Sequence, residues 1–193
     1  TEYAFNNDSN YNPKEPYAIS KMEAEIGLKK ISESSDMEVV IIRPPLVYGP
    51  AAPGNFKRLL KLVNTGLPLP LAKMDAIKSM ISLDNLCDLL IRTVSVPLPK
   101  FNTFVVSDGS HWSTANLVRL IAKYMGRRQF LFPVPLFLLK ALADVVGKSE
   151  DIQKLAVPLV VNGSATSEVL GWSPAQLPED GVREAVEFFI VHK

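Results

Sequence analysis

Residues 39–50, VVIIRPPLVYGP, decide the fold. Val39, Val40, Ile41 and Ile42 are four consecutive β-branched residues without polar alternation, the pattern of a strand covered on both faces in a parallel sheet. Arg43, Pro44 and Pro45 stop it, because proline removes an amide donor and fixes its own φ. Ahead of the strand, Tyr17, Lys21, Ala24, Leu28 and Ile31 recur at helical spacing, and Pro16 suits a first turn. That periodicity predicts a helix over residues 17–34. A helix feeding a buried strand predicts an α/β protein.

Working outward, residues 1–16 are rich in Asn, Asp, Pro and Tyr and read as an extended loop. After the loop at residues 46–54, Asn55 is placed to cap a helix whose stripe is Phe56, Leu59, Leu60 and Val63, ending at Gly66. An extended segment follows at residues 67–71. A short strand is expected over residues 78–83, then a helix capped by Asp84 that carries Cys87 on its buried side. Residues 103–107 predict a strand, 113–124 a helix, 129–133 a last strand, and 135–146 an apolar helix. A short strand near residues 159–161 and an amphipathic helix with Val182, Ala185, Val186 and Phe189 on its buried face complete the reading.

Composition narrows the function classes. The 193 residues are 47% hydrophobic and carry 21 Lys and Arg against 20 Asp and Glu, so disorder and a highly basic nucleic-acid binder are disfavoured. Cys87 has no second cysteine to bridge, and two histidines are too few for a zinc cluster; a reducing cytoplasm fits. The apolar run at residues 130–139 is broken by Pro133 and Pro135 and falls short of the roughly 20 residues of a membrane span. It reads as core or subunit contact. The N-terminus has neither an initiator Met nor a secretory signal, so the chain reads as the interior of a longer protein.

Tyr17 and Lys21 are the chemistry-bearing pair. Four-residue spacing puts them on one helical face, where an ammonium favours the phenolate and makes a tyrosine usable as an acid or base. Five tyrosines and 14 lysines in 193 residues give roughly 0.4 such pairs by chance, so the pair alone decides nothing.

Its context decides more. NPKEPYAISK (residues 12–21), the buried strand, RPPLVYGP (43–50), GLPLPL (66–71) and LGW (170–172) come in an order that resembles the extended short-chain dehydrogenase/reductases, in their NAD-dependent sugar epimerase/dehydratase branch. The detail is most similar to nucleotide-sugar 4-epimerases and 4-keto reductases. The resemblance implies the C-terminal part of a Rossmann-type parallel sheet, with residues 1–50 ending the dinucleotide-binding domain and residues 51–193 forming mainly a small mixed α/β nucleotide-sugar lobe. It implies NAD or NADP as cofactor, a UDP-sugar as substrate and a homodimeric parent. Tyr17 would exchange a sugar hydroxyl proton, and Lys21 would hold the nicotinamide ribose. Pro44, Leu46 and Val47 would lie against the nicotinamide. Asn55, Phe56, Leu69 and Lys78 would contact the sugar nucleotide, Lys78 standing where relatives often carry an arginine that could fork onto the diphosphate.

The chain departs from that pattern mildly at Ala18, where relatives usually carry Gly, and at Asn162, where they often carry Asp, and seriously in two respects. It holds no glycine-rich strand-turn-helix for a pyrophosphate, and Thr1 and Ser9 do not match the family's catalytic Ser or Thr. The expectation is a C-terminal portion, inactive alone, that leaves a sheet edge and a helix face uncovered and is marginally stable or self-associating. A non-catalytic protein of the same fold that binds a dinucleotide or a partner is the rival reading, because fold does not fix function.

Overall fold

The computed structural model describes residues 4–145, 152 and 155–192. Helix α1 (Pro16–Ser34) opens with proline in its first turn and leads to strand β1 (Val39–Arg43). Then come β2 (Leu46–Tyr48), α2 (Asn55–Asn64), β3 (Ile77–Ser82), α3 (Leu83–Ser95), β4 (Phe101–Val105), β5 (His111–Ser113) and α4 (Thr114–Tyr124). The described chain closes with α5 (Leu136–Val145), α6 (Ser164–Leu170) and α7 (Pro178–Val191).

The strands form two sheets. β1 pairs in parallel with β4, Val39 opposite Phe101 through Arg43 opposite Val105. β2 pairs in parallel with β3, and β3 pairs antiparallel with β5. Val39 and Ile41 are buried, and on the other face Val40 and Ile42 are half-buried against the cluster of Leu89 and Phe104, so both faces of β1 are packed as its composition requires. Its other edge has no strand beside it among the described residues. α1 is similarly undercovered: Ser32 alone is buried, and Ile19, Ile26, Leu28 and Ile31 face solvent. The uncovered edge and helix face expected from sequence are both present.

The larger core lies between α2, α4 and α7, with Phe56, Leu60, Val63, Val118, Ile121, Val182 and Val186 at its centre. Gly181 of α7 lets the helix approach Tyr48, since a Cβ there would meet the ring at 3.1 Å. The N-terminal loop is stitched to the end of the chain: the Phe5 amide donates to Val160 O and the Asn162 amide to Phe5 O, each at 2.8 Å.

Several local expectations are corrected. The N-cap of α2 is Gly54 at φ 80°, and Asn55 is the first helical residue. Ser82, not Asp84, caps α3, because its side chain accepts from the Asn85 amide at 3.1 Å. Cys87 is exposed, since α3 buries Asn85, Leu89 and Thr93 and turns residue 87 outward. Residues 46–48, read as loop, form β2, and 129–133 and 159–161 make isolated bridges, Leu69 with Leu131 and Phe5 with Val161, in place of strands. The expected apolar helix spans Leu136–Val145, and its predicted last residue, Val146, lies outside the described residues. Within residues 130–139 only Leu139 is buried core, and Phe130 and Phe137 are 67% and 75% exposed.

Candidate active-site groove

α1 presents Tyr17 and Lys21 on adjacent turns, with the Lys21 Nζ 5.5 Å from the centre of the Tyr17 ring. The ring is 73% exposed, so the phenol stands free to meet a ligand. Both side chains line a groove of about 420 Å³. The loop at residues 5–13 forms one wall, Leu159 and Val161 another, and Arg43, Pro44 and Pro45 close the end at the exit of β1.

What holds this groove in shape is a cluster the sequence reading missed. Glu25 lies one turn beyond Lys21, and the Arg43 guanidinium donates to it through Nε at 3.1 and 3.2 Å and Nη2 at 2.6 Å. Tyr11 donates its hydroxyl to the same carboxylate at 2.9 Å, and the guanidinium stacks 4.7 Å from the Tyr11 ring centre. Helix, strand and loop therefore meet on one carboxylate. The hydrogen bond from Arg43 to Glu25 holds the guanidinium above its ordinary value, while burial raises Tyr11, so neither titrates near neutrality. Extending the Tyr17, Lys21 face by four residues would have found Glu25.

The other expected contacts lie elsewhere. Leu46 and Val47 enter β2, opposite Met80 and Ile81, and do not line the groove, whereas Pro44 does. Phe56 is corrected to a core residue: its buried ring packs 5.6 Å from that of Tyr48, leaving no side-chain surface for a sugar. Leu69 is likewise buried, and its backbone is committed to Phe130 O and the Phe132 amide. Lys78 donates to Val157 O at 2.6 Å, and burial holds its ammonium below the usual lysine value. Asn55 is exposed at the start of α2. Neither Asn55 nor Lys78 reaches the groove.

A second polar cluster is fully internal. Asp108, just after β4, accepts from the Tyr48 hydroxyl at 2.6 Å, the Ser82 amide at 2.9 Å and Asn85 Nδ2 at 2.7 Å. Asn85 exchanges two further bonds with the Gln176 backbone, at 3.0 and 2.9 Å. Burial raises the Asp108 carboxyl, and its three donors partly hold it back. This knot ties β2, β3 and α3 together, and Asp108 also lines a cavity of about 450 Å³ with Gly109, His111, Asn162 and Gly163. Among the described residues no group of three His, Cys, Asp or Glu could hold a metal ion, and no helix is long and apolar enough to cross a membrane.

The site can be set beside known proteins. Residues 2–76 match the NAD dependent epimerase/dehydratase family. A protein of Vibrio cholerae described as UDP-glucose 4-epimerase is 38% identical over 187 residues, which is 96% of this chain and 57% of that one. The chain thus spans little more than half the length of this curated relative. Among solved structures, UDP-glucuronic acid 4-epimerase from Bacillus cereus, in complex with UDP-glucuronic acid and NAD, superposes with TM-score 0.75 at 17% identity, covering 99% of this chain and 57% of that one. RMD from Pseudomonas aeruginosa, complexed with NADPH, gives 0.73 at 14%, covering 96% and 59%. These neighbours share the Rossmann-type fold of the extended short-chain dehydrogenase/reductases. Residues 2–76 thus match the NAD dependent epimerase/dehydratase family, and nearly the whole chain is similar to a UDP-glucose 4-epimerase that it spans for 57% of its length.

Proposed function

We propose that this chain is the Tyr-Lys-bearing part of an NAD(P)-dependent nucleotide-sugar 4-epimerase or 4-keto reductase. The observation that carries the reading is the exposed Tyr17 phenol beside the Lys21 ammonium, on a groove that ends where a parallel strand gives way to Pro44 and Pro45. A crevice at the carboxyl end of a parallel strand is where α/β sheets place ligands. In this reading residues 1–50 complete a dinucleotide-binding domain and most of residues 51–193 build the sugar-nucleotide lobe. The exposed apolar side chains of α1 offer a face for a homodimer contact.

The groove fits the nicotinamide-ribose end of a dinucleotide, because a cation and a phenol project into it beside an apolar proline wall. Lys21 would hold the ribose and Pro44 the nicotinamide face. Bound there, NAD or NADP supplies a hydride acceptor for the sugar carbon. Tyr17 takes the proton of the C4 hydroxyl as the carbonyl forms, and returns it when the carbonyl is reduced. Lys21 keeps the phenol oriented and its charge balanced, and Glu25 with Arg43 fixes the helix that carries both. Epimerisation follows when the keto sugar turns over within the site before it is reduced again, whereas net reduction requires a 4-keto sugar as the incoming substrate and a cofactor that would enter in its reduced form.

Titration calorimetry of the chain with UDP, UDP-N-acetylglucosamine and NAD separately tests the reading. Saturable heat with the UDP ligands, and none with NAD alone because the pyrophosphate glycines are not in this chain, is the expected result. NAD binding without UDP-ligand binding would favour the non-catalytic dinucleotide-binding protein, and no binding of any ligand would overturn the sugar-nucleotide lobe.

A further inference from the structure

Charge is unevenly distributed along the chain, in a way the groove does not use. Residues 44–74 and 109–143 contain no Asp or Glu yet hold nine of the 21 Lys and Arg, leaving twelve basic against 20 acidic residues elsewhere. These two segments pack together. α2 contacts α4, the Leu69 amide donates to Phe130 O at 2.9 Å, and Gln129 Nε2 donates to Leu67 O at 2.5 Å. Arg119 and Lys123 share the exposed face of α4, and exposed Arg127 and Arg128 follow its closing turn at Gly126. α7 also packs on α4, and its acidic residues are partly neutralised, Arg183 reaching Asp180 at 2.9 Å and Glu187 at 4.0 Å.

The same region carries large exposed apolar side chains. Leu67 and Phe130 are 62% and 67% exposed on neighbouring bonded segments, and Phe137 is 75% exposed on α5, flanked by exposed Leu136 and Leu138. α5 is tied to the body of the protein through Leu139 and Ala143. Single exposed leucines need no explanation, but clustered aromatic and aliphatic side chains rimmed by polar groups mark an interaction surface. Pro133 and Pro135 stiffen the segment between Phe130 and α5, so presenting it costs little further entropy.

The sign of the rim selects the partner. A second copy meeting this face would bring like charges together, whereas a surface that is anionic at its headgroups and apolar beneath satisfies both features at once. We propose that the face formed by Leu67 and residues 127–140 docks on an anionic lipid surface, with Phe130 and Phe137 entering the boundary between headgroups and acyl chains and Arg127 and Arg128 on the lipid phosphates. The contact is peripheral and needs no membrane-spanning helix.

Co-sedimentation of the 193-residue chain with vesicles tests it. Vesicles of phosphatidylcholine doped with phosphatidylglycerol should retain the chain, pure phosphatidylcholine should not, and added salt should release it. Arg127→Gln combined with Arg128→Gln, and separately Phe130→Ser combined with Phe137→Ser, should each weaken binding about tenfold or more. All four positions are exposed, so the far-ultraviolet circular dichroism of both variants should match the parent. Failure to bind the anionic vesicles, or binding that neither double variant weakens, overturns the proposal. So does a dimer of the parent that Phe137→Ser disperses while vesicles remain unbound, because the face would then be an interface between copies.

Discussion

Replacing Asp108 with alanine should destabilise the chain by about 3 kcal/mol, enough to unfold much of a marginal domain. The carboxylate is the common acceptor for the Tyr48 hydroxyl, the Ser82 amide and the Asn85 side chain. Truncation leaves the Ser82 amide without its acceptor, while Tyr48 keeps Pro178 O and Asn85 keeps Gln176 O, which is why the loss is not three full bonds. A urea melt of parent and variant measures it, and a loss under about 1 kcal/mol would mean that water replaces the carboxylate. The same melts carry a pH signature. Burial raises the Asp108 carboxyl in the folded state, so its contribution is complete below the usual carboxylate range and is lost as pH rises through the raised value. The stability gap between parent and variant should therefore narrow on going from acid to neutral solution. A gap that widens would mean that the three donors outweigh desolvation.

On the proposed function, Tyr17→Phe should lower turnover about 10²- to 10⁴-fold in an active enzyme carrying this chain, with little change in KM for the sugar nucleotide. The substitution removes one hydroxyl from a ring that is mostly exposed and that packs on nothing the fold depends on, so stability should be unchanged. Steady-state kinetics with a UDP-hexose, together with a melting curve, separates the two readouts. Undiminished turnover would remove Tyr17 from the chemistry, and a lowered melting point would show a structural role instead.

The parts of the fold that the sequence made legible are those where one local rule dominates. Four β-branched residues can only be a covered strand, and the Tyr17 to Ile31 periodicity can only be a helix, so α1 and β1 were readable to within a residue. Short elements set by tertiary pairing were not. β2 is three residues long and exists because Leu46 to Tyr48 lie against β3, which no local pattern announces. Cys87 was misjudged because its neighbours are apolar, although α3 turns Leu90, Ile91 and Val94 to solvent along with it. Phe56 and Leu69 were given to a ligand only by the family resemblance; Phe56 also belongs to the apolar stripe read for α2, and the core claims both. The Tyr17, Lys21 face was visible at once, but the Glu25 clamp joins residues 11, 25 and 43, and that closure is a property of three segments together.

The one-sided pairing of β1 has a consequence in time. Successive residues of a strand direct their amides to opposite edges, and the Val39 amide donates toward β4, to Lys100 O at 2.8 Å. Ile41 and Arg43 follow it, while Val40 and Ile42 direct theirs to the edge where no strand lies among the described residues. Deuterium should thus enter β1 at every second position, quickly at Val40 and Ile42 and slowly at the three between and beside them. Anything that completes the sheet would convert this alternation into uniform protection, which makes two amides in the most hydrophobic strand of the chain the natural clock for its assembly.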